Sequence, residues 1–277
     1  MIKRLGNFLG LSRPRQLYKL GIIWLPGLFH GKGSLQAQFR ILLIGSVVWW
    51  ITTTIVYILN DIHDLPEDRL RPERIHRPLA SGRITPWEAL LFGTMLLGVL
   101  LYLLPQVPIR VSWLLGGYTL FNLGYTFGLK NAIGVRQVII AIGFWFRLQS
   151  GAFPVSTIPL SPWASLFTLG LAYYLNCLKG LTSFGDDRDR GFRFSMAIGA
   201  GLAGSLALVS LVSICLKRGQ EGQMNWPVVP PILCLLGMHR AAYASFKQDS
   251  RKEQSDVFFF DWANVFTMIG FIIMFLY

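Results

Sequence analysis

Long uncharged runs set the pattern of this chain. From Ile41 to Leu59 nineteen consecutive positions carry no charge, and eight other stretches come close to the same character. A bilayer core takes roughly 20 apolar residues per helix. The pattern therefore predicts about nine membrane segments, over 17–30, 39–60, 86–104, 110–128, 133–152, 162–181, 194–216, 226–245 and 257–276. The first is short and interrupted by Pro26, the eighth carries Pro227, Pro230 and Pro231, and the fifth contains Arg147. The expected fold class is all-α: a polytopic membrane protein forming one transmembrane domain over residues 1–277.

Composition agrees with that reading. Hydrophobic residues make up 53% of the chain and charged ones 14%, too apolar for an ordinary soluble domain of this length. The net charge of +12 is compatible with nucleic-acid binding, so the placement of the cations has to decide. If the N-terminus and every second connection face one side, only Lys32, Arg40, Arg110, Lys217 and Arg218 of the 26 Lys/Arg fall on the other. Cytoplasmic loops carry the excess of Lys and Arg. The expectation is thus an inner or plasma membrane protein with a cytoplasmic N-terminus, an external C-terminus and no nucleic-acid partner. The apolar segment after the basic N-terminus lacks a small-residue cleavage site, which predicts an uncleaved first helix. Cys177, Cys215 and Cys234 lie in apolar surroundings without CxxC spacing and are expected to be packing residues. Tryptophans such as Trp49, Trp50, Trp87 and Trp113 are expected to be interfacial anchors.

Asn60-Asp61-Ile62-His63-Asp64-Leu65-Pro66-Glu67-Asp68 breaks the apolar pattern, placing four of the chain's fourteen acids directly after the uncharged run. Carboxylates crowded at the mouth of an apolar helix are costly unless a cation binds them, and a hard divalent ion such as Mg²⁺ suits oxygen ligands. On a helix turning about 100° per residue, Asp61, Asp64 and Asp68 lie within about 60° of one another. Asn60 could add an amide oxygen, while Pro66 disturbs the helix between Ile62 and Asp68. The alternative is a solvated acidic loop paired with Arg69, Arg71 and Arg74.

Asn60-Asp61-x-x-Asp64-x-x-x-Asp68 followed by Arg77-Pro78-Leu79-Ala80-Ser81-Gly82 resembles the first aspartate-rich motif, with its trailing RP(I/L)xxG, of the UbiA superfamily of intramembrane prenyltransferases. The resemblance spans nearly the whole chain and lies closest to the decaprenyl-phosphate phosphoribosyltransferase-like branch. It rests further on Arg13-Pro14-Arg15-Gln16 with Lys19, Arg71-Pro72-x-Arg74, Tyr125-x-x-x-Leu129-Lys130, Gly143 to Ala152 around Arg147, and Ser161-Pro162-Trp163. It implies a bundle of nine helices with a polar cavity open to the cytoplasm. Mg²⁺ on Asn60, Asp61, Asp64 and Asp68 would bind the diphosphate of one substrate, and a lipid chain would lie along a lateral opening. In that branch phosphoribosyl pyrophosphate is the donor and a polyprenyl phosphate the acceptor. Transfer of an isoprenoid from its diphosphate to an aromatic or other small acceptor is the enzymatic alternative. A transporter is the alternative from another class.

Phosphate chemistry indicates which cations to watch. Lys19, Arg74, Arg77, Lys130, Arg147 and Lys179 are expected near the diphosphate, with Asp61, Asp64, Arg147 and Lys130 as the catalytic group. Arg147 is the strongest, because a cation deep in an apolar helix needs a partner. The second acidic stretch, Gly185-Asp186-Asp187-Arg188-Asp189, departs in spacing from the superfamily's second motif. Asp186, Asp187 and Asp189 either ligate a second Mg²⁺ or solvate a loop, and Asp261 either completes the cavity or pairs with a neighbouring base. Gly199-Ala-Gly201-Leu-Ala-Gly204 matches GxGxxG but lies in an apolar helix, so close helix packing is the expectation. His63 and His76 are read as polar lining, not as zinc ligands.

Overall fold

The computed structural model describes residues 2–29, 32–72, 74–128, 134–155, 160–182 and 190–247, together with 269, 270 and 273. The described residues are helical, with connecting turns and no strand. In order they form α1 (Ile2–Leu11), a 3₁₀ helix (Pro14–Ile23), α2 (Leu25–Phe29), α3 (Lys32–His63), α4 (Leu65–Asp68), α5 (Pro86–Leu103), a second 3₁₀ turn (Leu104–Gln106), α6 (Ile109–Phe127), α7 (Val135–Val155), α8 (Pro162–Thr182), α9 (Arg190–Gln220) and α10 (Val229–Lys247).

Three of these helices are long and apolar enough to cross a membrane: Gln38–His63 within α3, Pro86–Gln106 and Arg190–Gln220. The segment Pro86–Gln106 is only 17% buried over its most apolar window, and Leu91, Met95, Val99 and Tyr102 are exposed along it. A helix this apolar and this uncovered requires lipid, not water, as its surroundings. Its start is set locally by a capping box: Thr85 accepts from the backbone N–H of Glu88, and the Glu88 carboxylate reaches back to that of Thr85, with Pro86 in the first turn.

Segments expected over 39–60, 86–104, 110–128, 133–152, 162–181, 194–216 and 226–245 coincide with α3 and α5–α10. The segment over 17–30 does not form one membrane helix. It is divided between the 3₁₀ helix, which starts with Pro14 in its first turn, and the five-residue α2, whose second residue is Pro26. Each proline lacks the N–H that would continue a preceding helix. The segment over 257–276 lies almost wholly outside the described residues.

The chain divides into two compact units, one from residues 1–131 and 146–159, the other from 132–145 and 160–277. In the first, Leu11, Ile58, Leu79, Ile84 and Ala89 form a buried cluster that joins α1, α3, the 69–85 connection and α5. That connection turns at Ser81-Gly82, where Gly82 takes φ +71°. A side chain would be strained there, so this glycine serves the turn that follows Arg77. In the second unit, Tyr174, Cys177, Met196, Ala200, Ala203 and Met238 pack α8, α9 and α10 together. The GxGxxG stretch behaves as expected of small residues: Gly199 lies against Cys177 and Tyr173, and Gly204 against Met238 and Tyr174. Cys177 and Cys215 are buried, free packing residues, and Cys234 is a free, partly covered one.

The tightest approach in the first unit is at Gly151 on α7, where a Cβ would lie 1.8 Å from the carbonyl oxygen of the buried Ile23. Backbone cannot yield as a flexible side chain does. Gly151→Ala is expected to destabilise the protein by about 1–3 kcal/mol, the usual range for overpacking, or more. A thermal melt in detergent unchanged from wild type would refute this account of the contact.

Candidate diphosphate and metal site

Asp61 sits on the last turn of α3 and is 4% exposed. Helix α3 stops at His63, because Pro66 cannot continue the ladder; Asp64 forms the joint, and Pro66 falls in the first turn of α4. The break carries Asp68 round so that it is 1% exposed. Asp61, Asp64 and Asp68 therefore do not share one helix face, as the uninterrupted-helix geometry expected.

Guanidinium groups, not a third carboxylate, join the two buried acids. Arg77 Nη1 donates to Asp61 Oδ1 at 3.1 Å and to Asp68 Oδ2 at 2.6 Å. Arg74 Nη1 donates to Asp68 Oδ1 at 2.9 Å, and Arg13 Nη2 to Asp61 Oδ1 at 2.6 Å. Burial pushes the Arg77 pKa below its ordinary value, and nearby Arg13 pushes the same way, while Asp61 and Asp68 counteract both. A lowered pKa on a cation means that folding penalises its charged form below the folded-state pKa, neutral pH included. The two carboxylates offset that penalty. Glu67, by contrast, pairs with Arg71 in a partly exposed contact.

Arg13 reaches this centre from another element. It precedes the 3₁₀ helix with φ 48° and ψ 64°, the one positive φ outside glycine among the described residues. Its guanidinium lies 4.2 Å from the centre of the Tyr57 ring. Tyr57 OH donates to Gln16 Oε1 at 2.7 Å, and Lys19 Nζ donates to the same oxygen at 3.2 Å. Tyr57 is one turn before Asp61 on α3, so the two share a face.

Two more turns back, the same stripe holds Arg147. This residue is 6% exposed, with its guanidinium 4.9 Å from the ring centres of both Trp49 and Tyr118. It donates to Thr53 Oγ1 at 3.2 Å and to Tyr118 OH at 3.4 Å. Thr53 lies eight residues before Asp61, about 12 Å along the helix axis. Arg147 is thus not beside the acids but well inside the bundle, in a cage of aromatic rings. Trp49 is fully buried in that cage, a correction to its expected place at a membrane interface: it faces the middle of the first unit from the centre of α3.

Of the other anticipated residues, Asn60 turns its amide oxygen to the Thr126 hydroxyl of α6. Lys179 lies in the last turn of α8, in the second unit. Lys130, Asp186, Asp187, Asp189 and Asp261 lie outside the described residues. His63 is exposed and packs edge-on against Phe127. Sequence reasoning did not assign site roles to Arg13, Gln16, Tyr57, Thr53, Tyr118 or Thr126. Arg13 and Gln16 did stand in a noted motif, and the (i, i+4) spacing of Tyr57 and Asp61 was a usable signal.

As donors, Asn60, Asp61 and Asp64 supply the hard oxygens that Mg²⁺ accepts. Both guanidinium contacts to Asp61 fall on Oδ1, and Oδ2 accepts no hydrogen bond among the described residues. Both oxygens of Asp68 are occupied by arginine. No group of three or more His, Cys, Asp or Glu side chains converges for metal binding among the described residues. Asp68 thus serves the arginines, and a divalent ion at Asp61 would take Oδ2 as its donor there. Elsewhere in the first unit, Leu9, Ser12, Trp50, Ile51, Thr54, Phe92 and Leu96 line a small apolar cleft.

The sequence pattern described as the UbiA prenyltransferase family matches residues 21–265. A decaprenyl-phosphate phosphoribosyltransferase of Mycolicibacterium smegmatis is 28% identical over 130 residues, 47% of this chain and 40% of that protein. The 4-hydroxybenzoate octaprenyltransferase of Pseudomonas fluorescens is 28% identical over 219 residues, 75% of this chain and 71% of that one. The matched stretch spans about half the length, or less, of the phosphoribosyltransferase relatives. Among solved structures, a UbiA homologue from Archaeoglobus fulgidus bound to DMAPP and Mg²⁺ aligns over 98% of this chain and 99% of that chain, with TM-score 0.69 and 14% identity. A digeranylgeranylglyceryl phosphate synthase aligns over 99% of both chains, with TM-score 0.66 and 18% identity.

The Asp68 carboxylate holds two guanidinium groups while almost wholly buried, and breaking such a pair costs about 3–5 kcal/mol when one partner is removed. Because Arg74 and Arg77 are about a quarter exposed, Asp68→Asn is expected near the lower end of that range. Denaturation in detergent should show the loss without any substrate or metal present, and equal stability of mutant and wild type would refute the pairing.

Proposed function

The chain belongs to the UbiA prenyltransferase family, and from that premise we propose that it is a Mg²⁺-dependent integral-membrane transferase moving phosphoribose from phosphoribosyl pyrophosphate to a polyprenyl phosphate, with loss of diphosphate. The observation that carries the reading is the pairing of a buried, half-open carboxylate, Asp61, with two arginines, Arg13 and Arg77, from separate stretches of chain. That combination suits a metal-bound diphosphate, which requires hard oxygen on one side and guanidinium forks on the other. The phosphoribosyl donor is supported by relatives of that name and by the Arg13-Pro14-Arg15-Gln16 and Arg71-Pro72-x-Arg74 motifs.

Asp61, Asp64 and Asn60 would hold the ion. When bound, Mg²⁺ supplies charge neutralisation to the leaving diphosphate. Arg77 and Arg74 hold Asp68 and would receive phosphate oxygens; Lys19, Lys130 and Lys179 are proposed for the same task. Arg147, caged by Trp49 and Tyr118 deeper in the bundle, would face the reacting groups on the membrane side, where the acceptor's headgroup descends. The phosphate nucleophile is already anionic, so the chain needs no strong general base. The cation distribution supports a cytoplasmic N-terminus and a cytoplasmic mouth, with the chain acting as one domain.

One specific observation favours a second reading. The octaprenyltransferase relative covers more of this chain than the phosphoribosyltransferases do, which supports transfer of an isoprenoid from its diphosphate to an aromatic acceptor. The transport alternative is set aside, since the family is one of transferases.

Purified protein given Mg²⁺, labelled phosphoribosyl pyrophosphate and a polyprenyl phosphate is expected to yield a labelled lipid. Failure across several chain lengths, with formation of a prenylated aromatic from a prenyl diphosphate, would replace the first reading with the second. Asp61→Ala is expected to lower kcat by more than about 100-fold. Near-normal turnover in that variant would remove Asp61 from the site.

A further inference from the structure

Three guanidinium groups surround two carboxylates at the end of α3, and one of them is supplied from outside the loop that holds the others. Arg74 and Arg77 lie six and nine residues after Asp68 and grip it from the same connection. Arg13 comes from the start of the 3₁₀ helix and adds a second cation to Asp61 Oδ1, an oxygen that Arg77 already occupies. Two like charges on one oxygen repel each other, and a divalent ion on the remaining oxygen of Asp61 would add to that repulsion. One cation must then give way.

Arg13 is the group able to do so. Its backbone is held in the left-handed region immediately before Pro14, a conformation an arginine adopts only when its surroundings impose it. Its guanidinium rests on the Tyr57 ring, which offers a planar support as the side chain changes partner. Tyr57 is in turn fixed through Gln16, which also receives Lys19.

We propose that Arg13 is a stand-in counter-ion: it neutralises Asp61 while no metal is bound, is released when a divalent ion takes that carboxylate, and then binds the substrate's diphosphate. The inference rests on the metal-diphosphate reading above and adds an order to it, metal first and diphosphate second. No bond is made or broken in the exchange; one ion pair replaces another.

The test uses the full chain in lipid nanodiscs without substrate. Mn²⁺, an oxygen-seeking stand-in for Mg²⁺, is titrated and its free concentration read by electron paramagnetic resonance; inorganic pyrophosphate is then titrated at saturating Mn²⁺. Arg13→Asn is the informative variant, because asparagine tolerates the left-handed backbone. It is expected to bind Mn²⁺ about tenfold more tightly than wild type, a gain of about 1.4 kcal/mol, and pyrophosphate about tenfold more weakly. Arg13→Lys, which keeps the charge, is expected to bind Mn²⁺ as wild type does. A purely structural role would weaken both ligands together, and that outcome, or unchanged Mn²⁺ affinity in Arg13→Asn, overturns the proposal. So does equal tightening by Arg13→Lys. Asp61→Asn separates the two levels: Mn²⁺ binding that survives this change in every background removes the metal reading itself, and this inference with it.

Discussion

One arginine nitrogen holds this site together. Arg77 Nη1 is shared between a carboxylate at the end of the long helix α3 and a carboxylate on the short helix that follows it. Asp61 and Asp68 are both almost wholly buried, and neither would be tolerable there alone. Sharing a guanidinium makes the burial possible and at the same time fixes the bend at Asp64. The turn at Gly82 and the buried Leu79 and Ile84 anchor the segment that presents Arg77. The apolar core of the first unit thus determines where its charges meet.

The second organising element is the inward stripe of α3. Trp49, Thr53, Tyr57 and Asp61 follow one another by single turns. The first two contact Arg147 and the last two contact Arg13. One helix face therefore carries two cation stations at different depths, an aromatic cage inside the bundle and an ion-pair network at its end. In the proposed reading, anionic groups would meet guanidinium at both depths.

The same arrangement explains why the acids do not form a ready cluster of carboxylates. Arginine occupies the charge that a metal would otherwise neutralise, as electroneutrality in a low-dielectric setting demands. In the reading proposed above, occupancy by a metal and an anionic substrate would be an exchange of partners. That makes the neighbouring cations as much part of the site as the acids.

Much of this was legible along the chain. Apolar run length is a one-dimensional property, and it located α3 and α5–α10; the local rule that proline cannot continue a helix marked Pro26 and Pro66 as breaks. The charge cluster and the RPLASG stretch likewise marked the end of α3, where Asp61, Asp68 and Arg77 meet. Partnership was not legible. Whether Asp68 faces a metal or an arginine depends on how the chain bends at Asp64. Whether Arg147 joins the acids or sits two turns deeper depends on which residues of α3 its own helix packs against. Trp49 looked like an interfacial anchor because distance from a helix end is all that sequence registers, while its burial comes from α6 and α7 closing over α3. Sequence by itself determined which residues were too polar for their surroundings. Only the tertiary structure decided which of them neutralise one another, because charge pairing is set by distances of a few ångströms between segments far apart in the chain.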